Sequence, residues 1–357
     1  VMSPWLTSHE ADAVAKVVRS GWVGSISSTV DAFEKDLSDF LGVETLSVAN
    51  GSVALTLALA ALDVSQSDEV IVPSFSYAAV ASSIVHRGAI PVFADVSGDS
   101  WQLSADSIEK VVTARTRGVI LPHSYGVAGP VGEIREFCDL NNLFLIEDVA
   151  EAFGGKYADR MLGSFGDIAT FSFFPNKLIT TGEGGAVATS SSTLMKRLRL
   201  LRGQGMSSDL RYWFIEPGFN FRMSAMQAAL GRAQLGRIDE IFAARQQVES
   251  RYEKLLQSLV SPPTAAPPAE RAPWLFSGSF EVPTCPETVV RIAEKLAEKG
   301  IETRPLFFPL DQMPAFSRFA RQDAPIARGL VRKGITLPSA HNLSERDQVE
   351  IAQIIEK

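Results

Sequence analysis

The chain has 357 residues, of which 46% are hydrophobic and 21% are charged, and its formal net charge is −7. This composition is typical of a soluble globular protein, and the length suits one large domain with a smaller one. The negative charge argues against a nucleic-acid or anionic-membrane surface, and no apolar run is long enough to span a bilayer. The first residues, VMSPWLTSHEADAV, lack the pattern of a signal peptide.

The cysteines argue against a disulfide framework, and the histidines argue against a metal site. Two cysteines, Cys138 and Cys285, cannot form a disulfide framework and fit a reducing compartment, so we expect a cytoplasmic protein. The sequence has four histidines, and no pair of them has metal-ligand spacing. We therefore expect no metal site.

Short apolar runs rich in β-forming residues recur in the first half of the chain. Several are continuously apolar, which is typical of strands buried on both faces. We predict seven strands: TLSVAN (45–50), EVIVPS (69–74), IPVFAD (90–95), GVILPHS (118–124), LFLIED (143–148), DIATFSF (167–173) and GAVATS (185–190).

Helical patterns separate the early strands and predict helices over 52–62, 104–114 and 130–142. Ser104 suits a helix cap, and Pro130 suits a first helical turn. Alternation of strand and helix is typical of an α/β fold with a largely parallel sheet.

The last third of the chain has a different organisation. A helical region runs from about 224 to 258, and the Pro/Ala-rich segment 261–273 predicts a loop. A strand-helix-strand pattern follows, through SGSFEVP, PETVVRIAEKLAEKG and IETRPL. We predict a large domain over 1–235, and a connecting helix with a small α+β domain over 236–357.

Polar residues cluster where the predicted strands end. In open α/β sheets, ligands bind at the carboxyl ends of the strands, so these residues predict one shared pocket. They are Asn50, Gly51 and Ser52 after the first strand, the segment 74–77 after the second, and His123, Asp148 and Ser172 at the fourth, fifth and sixth.

Lys177 lies just after the sixth strand, in FSFFPNKLITTGEGGA. A lysine between aromatic residues and a Thr/Gly-rich loop is poorly placed for a solvated surface charge. Burial lowers the pKa of a lysine and makes its neutral amine a nucleophile toward an aldehyde. An ordinary loop lysine is the alternative.

Asp148 ends the buried strand LFLIED, where a carboxylate is costly unless it is paired. A pyridinium nitrogen is a suitable partner, because the carboxylate keeps it protonated and the ring can then accept electrons. A capping or salt-bridged aspartate is the alternative. The neighbouring Glu147 should point to the opposite face of the strand.

Four further residues are candidates for the same pocket. Gly51 and Ser52 begin a helix whose backbone N–H groups attract phosphate, and the Ser172 hydroxyl could join them. Tyr77 could stack on a flat ring. Each signal is weak alone, because turns and core packing explain most such residues.

Glu151 follows Asp148 by about one helical turn. Its carboxyl group could approach a phenolic oxygen on the ring or the reacting amine. A solvent-facing glutamate is the alternative.

Taken together, these residues and the sequence segments around them resemble the DegT/DnrJ/EryC1/StrS family of sugar aminotransferases that depend on pyridoxal 5′-phosphate (PLP). The resemblance covers almost the entire chain in the correct order, which makes it specific although no single block is. The matching blocks include SGWVGSISSTVDAFEKDLSDFLG, VANGSVALTLAL, DEVIVPSFSYAAVASSI, LIEDVAEAFGG, FSFFPNKLITTGEGGAV, GFNFRMSAMQAALGRAQL and GIETRPLFFPLDQMPAF.

The resemblance implies the type I, aspartate-aminotransferase-like fold, with a mixed seven-stranded sheet. It implies that Lys177 forms a Schiff base with PLP and later carries the proton, and that Asp148 pairs with the pyridinium nitrogen. It also implies that Tyr77 stacks on the ring. Gly51, Ser52 and Ser172 are the implied phosphate ligands.

Two further residues gain a role from the resemblance. Asn220, in GFNFRM, matches an asparagine that reaches the phosphate in the neighbouring subunit, which implies a homodimer with shared sites. Glu151 matches a position where family members carry His, Gln or Glu near the ring oxygen.

The resemblance also implies the substrates. L-Glutamate is the implied amino donor. LITTGEGG resembles members that act at C4 of nucleotide-linked 4-keto-6-deoxy sugars, and GWVGSIS and TRPLFFPL resemble members that aminate GDP-4-keto-6-deoxymannose. His123, Arg222 and Arg304 are candidate substrate contacts, with ordinary surface charge as the alternative for the arginines.

Three other functions stay open. The nearest is another acceptor in the same family: a dTDP- or UDP-linked 4-keto or 3-keto sugar, a cyclitol or a keto-octulosonate. PLP-dependent sugar dehydratases carry His at the lysine position, so Lys177 argues against that activity. A PLP-binding regulator would place a helix-turn-helix ahead of the fold, and the sequence has no such pattern there.

Overall fold

A computed structural model of the chain describes residues 2–265, 267–280 and 286–356. Its strands, in chain order, are β1 (Thr45–Val48), β2 (Glu69–Pro73), β3 (Ile90–Ala94), β4 (Thr116–Pro122), β5 (Phe144–Asp148), β6 (Lys156–Tyr157), β7 (Arg160–Met161), β8 (Ile168–Ser172), β9 (Gly185–Ala188), β10 (Val260–Ser261), β11 (Ser277–Phe280), β12 (Arg304–Pro305) and β13 (Gly334–Thr336).

The seven predicted strands form one sheet, in the order β1-β9-β8-β5-β4-β2-β3. Neighbours from β8 through β5, β4 and β2 to β3 are parallel, whereas β9 runs antiparallel to both β1 and β8. Almost every residue of these strands is buried, because helices cover both faces of the sheet. The predicted α/β fold with a mostly parallel mixed sheet is confirmed.

Helices connect and cover these strands. They are α1 (Ser8–Ser20), α2 (Ser28–Leu41), α3 (Gly51–Ala61), α4 (Ala79–His86), α5 (Ala105–Glu109), α6 (Val131–Leu140), α7 (Ser192–Arg202), α8 (Ala225–Leu235), α9 (Ile238–Leu256), α10 (Pro286–Glu298), α11 (Pro325–Lys333) and α12 (Glu345–Glu356). None of the helices in the described part of the chain combines the length and apolarity needed to cross a bilayer.

The helix predictions needed three corrections. The helix predicted over 104–114 stops at Glu109, just before the β-branched run V-V-T at 111–113, although Ser104 does form the expected cap. Pro130 immediately precedes α6 instead of lying in its first turn. The region predicted as helical over 224–258 is two helices, α8 and α9, which are separated at residues 236–237.

A second, antiparallel sheet has the order β10-β11-β13-β12 and packs with α9, α10 and α12 around its own buried cluster. The strand-helix-strand pattern predicted there is present, but IETRPL contributes only a two-residue strand. Cys285 and the end of SGSFEVP lie outside the described residues. The domain boundary at 235/236 stays a prediction.

Candidate active site

A cavity of about 730 Å³ opens at the carboxyl ends of β4, β5 and β8 and at the start of α3. The topology places it there, because parallel neighbours deliver the residues after each strand to the same edge of the sheet. Eleven of the residues predicted from the sequence line it: Asn50, Gly51, Ser52, Ser76, Tyr77, His123, Asp148, Glu151, Ser172, Lys177 and Arg304. Asn220 and Arg222 are not among its lining residues.

One end of the cavity combines a helix start with a hydroxyl group. Asn50 caps α3 by accepting the backbone N–H of Val53 at 3.0 Å. A Cβ atom added to Gly51 would lie 2.8 Å from the Cβ of Ser172, so only glycine lets the helix start approach β8 this closely. The N–H groups of the first turn and the Ser172 hydroxyl therefore form a compact anion cradle.

Asp148 lies at the end of β5, and its Oδ1 accepts the backbone N–H of Ala150 at 3.1 Å. Burial raises the pKa of this carboxyl group, although Ala150 and the positive charge of Lys177 oppose the effect. A buried carboxylate of this kind gains most from a cationic partner inside the cavity.

Lys177 lies across the cavity with its Nζ atom 3.7 Å from Oε1 of Glu151. Burial lowers the pKa of Lys177, and the carboxylates of Glu151 and Asp148 partly offset that effect. Burial also raises the pKa of Glu151 to about 7, against the opposing influence of Lys177. Both groups therefore exchange protons more readily near neutral pH than an exposed lysine and glutamate would.

Tyr125 holds Glu151 from the other side. Its backbone N–H donates to Oε2 of Glu151 at 2.9 Å, and its hydroxyl accepts the N–H of Phe307 at 2.9 Å. The φ angle of Tyr125 is +57°, which is an uncommon conformation for a bulky residue. The fold keeps this strained backbone where its N–H group faces the carboxylate.

His123 is fully buried, and both of its ring nitrogens have protein partners. The N–H of Gly129 donates to Nδ1 at 3.0 Å, and Nε2 lies 3.4 Å from Oε1 of Glu147. The neutral ring therefore carries its proton on Nε2, and no ring nitrogen is left to hydrogen-bond a substrate. The ring can still offer a substrate its face, so a substrate role for His123 stays a prediction in that form.

Glu147 points away from the cavity, as its place beside Asp148 on a strand predicts. Its carboxylate accepts the backbone N–H groups of Gly163, Phe165 and Gly166 at 2.6–2.8 Å. Burial raises the pKa of Glu147, but His123 and these backbone donors outweigh burial and lower it. Glu147 thus anchors the loop that follows β7 to the sheet.

Three predicted contacts are more exposed. Tyr77 lies at the cavity mouth near the ring of Phe307, with 63% of its surface accessible. Arg304 also lies at the mouth and forms an exposed ion pair with Glu302. Arg222 is engaged outside the cavity, where its Nη2 atom lies 3.4 Å from Oε1 of Gln204.

Asn220 lies in a separate surface groove, which it shares with Gln204 and residues 214–218. Its backbone forms a bridge with Gly203. Within one chain, Asn220 is therefore not part of the cradle formed by Gly51 and Ser172. Its predicted role in a neighbouring subunit stays a prediction.

Among the residues that sequence reasoning missed, Tyr125 contacts Glu151 and Trp274 contacts Lys177. Tyr125 carried no signal, because its role depends on a backbone N–H and a φ angle. Trp274 lies in the segment after the Pro/Ala-rich loop, and its indole N–H donates to the backbone oxygen of Asn176 at 2.7 Å. An isolated tryptophan gives no sign of such a contact.

Comparison with known proteins supplies the family. Residues 4–356 match the DegT/DnrJ/EryC1/StrS aminotransferase family. The chain belongs to this family. It is 40% identical over 353 residues to GDP-perosamine synthase from Caulobacter vibrioides, covering 97% of this chain and 94% of that protein. It is 39% identical to GDP-perosamine synthase from Escherichia coli O157:H7, covering 99% of this chain and 97% of that one.

Solved structures agree on the fold of this aminotransferase. A Streptococcus pneumoniae protein, solved in a PLP form, superimposes with a TM-score of 0.92 at 26% identity, covering 99% of this chain and 96% of that chain. The same protein has been solved in its PMP (pyridoxamine 5′-phosphate) form. The type I fold expected from the resemblance is confirmed.

The residues at the cavity suit PLP. The cradle at Gly51, which a single Cβ atom would fill, has the donors that a phosphate needs. Asp148 offers a buried carboxylate for a protonated ring nitrogen, and Lys177 offers an amine whose pKa is lowered. The aminotransferase therefore has a suitable partner for each end of the cofactor.

Proposed function

We propose that this aminotransferase moves the amino group of L-glutamate to C4 of GDP-4-keto-6-deoxymannose, which gives GDP-perosamine, with PLP as cofactor. One observation carries the proposal: the amine of Lys177 lies 3.7 Å from Glu151 in a cavity that also holds the anion cradle and Asp148. The choice of sugar rests on the two relatives from Caulobacter vibrioides and Escherichia coli, both GDP-perosamine synthases.

Bound PLP supplies an aldehyde that takes up and releases amino groups, and a ring that accepts electrons from the substrate carbon. Gly51, Ser52 and Ser172 would hold its phosphate through backbone N–H groups and hydroxyls. Asp148 would keep the ring nitrogen protonated. Tyr77 would contact the ring from the cavity mouth.

Lys177 moves the proton in each half-reaction. Its neutral amine removes a proton from the amino-bearing carbon of glutamate, and the resulting ammonium would pass that proton to the cofactor carbon that takes up the amino group. In the second half-reaction the two transfers would run in reverse, and the proton would end on C4 of the sugar. Glu151 supports both forms, because its carboxylate stabilises the ammonium and its protonated form leaves the amine neutral. A pKa of about 7 for Glu151 keeps both states accessible at neutral pH.

The polar part of the sugar nucleotide needs cationic or amide donors. Arg304 at the cavity mouth is the candidate within one chain, since its side chain is about half exposed. Arg222, outside the cavity, would contact the nucleotide only across a subunit interface.

We infer that the enzyme is a homodimer with shared sites. Residues 212–215 form an exposed strip of four consecutive apolar side chains, with Tyr212 73% and Trp213 62% accessible. Contiguous exposed apolar side chains are typical of surfaces that bind another protein. The strip borders the groove that holds Asn220, because Phe214 and Ile215 line that groove too. A second copy that covers the strip would bring Asn220 to its partner's cavity.

The visible absorption spectrum tests the proposal. PLP-loaded enzyme should show the band of the lysine-bound cofactor, L-glutamate should convert it to the PMP form, and GDP-4-keto-6-deoxymannose should restore it. The Lys177→Ala variant should lack the first band, whereas a variant at the exposed Lys35 should keep it. A spectrum indifferent to L-glutamate would contradict the amino donor, and failure of the GDP sugar alone would favour another keto sugar of the same family.

A further inference from the structure

Trp274 contacts two consecutive residues at the centre of the site. Its Nε1–H donates to the backbone oxygen of Asn176 at 2.7 Å, and the Nζ atom of Lys177 lies 4.4 Å from the centre of its ring. The side chain is buried, and its ring packs at an angle against Tyr125. One residue from the last third of the chain therefore touches both the backbone before the lysine and the amine itself.

The backbone of Trp274 is fixed by buried charges on α9. Its carbonyl oxygen accepts a hydrogen bond from Nη1 of Arg245 at 3.3 Å, and its N–H donates to the carboxyl group of Glu249. Both partners are buried, so releasing Trp274 would leave them without these bonds. The position of the indole is therefore set by the helix that joins the two sheets.

The ring of Trp274 and the carboxyl group of Glu151 both approach the Lys177 amine. An aromatic face carries negative electrostatic potential and stabilises an ammonium ion but not a neutral amine. Glu151 lies 3.7 Å from the same nitrogen, and Glu151 and Asp148 are the charged groups that act on it. The charged Lys177 amine is thus stabilised in one position, between the Trp274 ring and the Glu151 carboxylate.

We propose that Trp274 is a positioning residue for Lys177. Its ring holds the free ammonium form in place, and its indole N–H fixes the backbone at Asn176, next to the lysine. This inference rests on the proposed function, since a lysine that alternates between bound and free forms needs a fixed place when free. An amine held near the cofactor is already in position for each half-reaction, so it need not be repositioned from other side-chain conformations.

Two substitutions separate the ring from the N–H group. Trp274→Phe keeps an aromatic face and loses the bond to Asn176, whereas Trp274→Met fills most of the space and loses both. The control is Trp5→Phe, because Trp5 also packs against a cation, Arg237, but lies in a different part of the chain from Lys177.

The first measurement is the pH dependence with which cyanate, a small reagent for neutral amines, carbamylates Lys177 in the full-length chain without cofactor. Peptide mass spectrometry reads the modification at that lysine. We expect the pKa of Lys177 to fall by about one pH unit in Trp274→Met and by less than half of that in Trp274→Phe. Trp5→Phe should match the wild type. An unchanged or raised pKa in Trp274→Met overturns the proposal.

The second measurement is the single-turnover rate with which L-glutamate converts the PLP-loaded enzyme. Trp274→Phe should slow this step about two- to tenfold, as expected for a lost neutral hydrogen bond, without changing the glutamate concentration at half-maximal rate. A changed half-saturation with an unchanged rate would mean that Trp274 contacts substrate and not the lysine, which overturns the proposal. If the wild type itself is not converted by glutamate, the proposed function fails, and the carbamylation result still decides the role of Trp274.

Discussion

Glu151 joins Lys177 to a strained backbone: its Oε1 lies 3.7 Å from the lysine Nζ, while its Oε2 accepts the N–H of Tyr125 at 2.9 Å. The bond from Tyr125 fixes the carboxyl group without neutralising it. Burial raises its pKa to about 7, and burial lowers the pKa of Lys177. The two shifts bring the pKa values of these groups closer together, which lowers the cost of passing a proton between them.

Replacing Glu151 with Gln should move the pH dependence of the glutamate half-reaction. The negative charge of Glu151 favours the ammonium form of Lys177, so its removal lowers the lysine pKa further. The rate of the glutamate half-reaction rises with pH as the Lys177 amine becomes neutral. In Glu151→Gln the midpoint of this rise should lie about one to two pH units lower than in the wild type. Single-turnover absorbance measured across pH gives that midpoint. Glu133→Gln, at an exposed position, should leave it in place; a wild-type midpoint in Glu151→Gln would contradict the pairing.

The sheet was predictable from the sequence, because its strands are buried on both faces and read as continuous apolar runs. β5, for example, begins within one residue of the predicted LFLIED strand and ends with it, at Asp148. The ends of helices were harder to predict. The helix from Ala105 stops after five residues because the β-branched residues that follow disfavour it, and periodicity alone does not weigh that effect.

Some residues of the site could likewise be predicted from the sequence, and others could not. Lys177, Asp148 and Gly51 are recognisable because they follow strands whose ends must meet at one edge of the sheet. Tyr125 and Trp274 are not, because their contributions are a backbone N–H in a left-handed conformation and an indole that arrives from nearly 100 residues further along the chain. Long-range packing sets such contacts, and local pattern does not encode it.

Gly51→Ala should weaken PLP binding by at least about tenfold. The added Cβ would lie 2.8 Å from the Cβ of Ser172, so the start of α3 must move away from β8 and open the anion cradle. Equilibrium titration of the chain with PLP, followed by absorbance, measures the affinity.

Gly329→Ala is the matched control, because a Cβ atom there meets no atom within 4 Å. It should bind PLP as the wild type does. If Gly51→Ala also binds normally, the phosphate does not lie at this helix start.

Asn220 allows a direct test of shared sites. If Asn220 completes its partner's cavity, mixed dimers of Lys177→Ala and Asn220→Ala protomers contain one site with both residues intact. Co-refolded or co-expressed mixtures should then regain activity, up to about one quarter of wild type for random pairing, although each variant alone is impaired. If Asn220 acts within its own chain, neither site of the mixed dimer is complete and activity stays at the level of the separate variants.

Glu10 should make stability depend on acid. Burial raises the pKa of this carboxyl group, but hydrogen bonds from Thr7, Gln234 and Arg237 outweigh burial and lower it to about 2. A carboxyl group whose pKa is lower in the folded state stabilises the fold above its unfolded pKa of about 4.5 and loses that contribution as the pH falls toward 2.

Glu10→Gln should therefore reduce the free energy of unfolding by about 2 kcal/mol at pH 7, and the difference from wild type should shrink steadily between pH 4.5 and pH 2. Urea unfolding at a series of pH values measures both quantities. The exposed Glu133→Gln variant supplies the baseline, since its carboxyl group is not buried. A destabilisation that is the same at pH 7 and pH 3 would mean that Glu10 acts through packing and not through its charge.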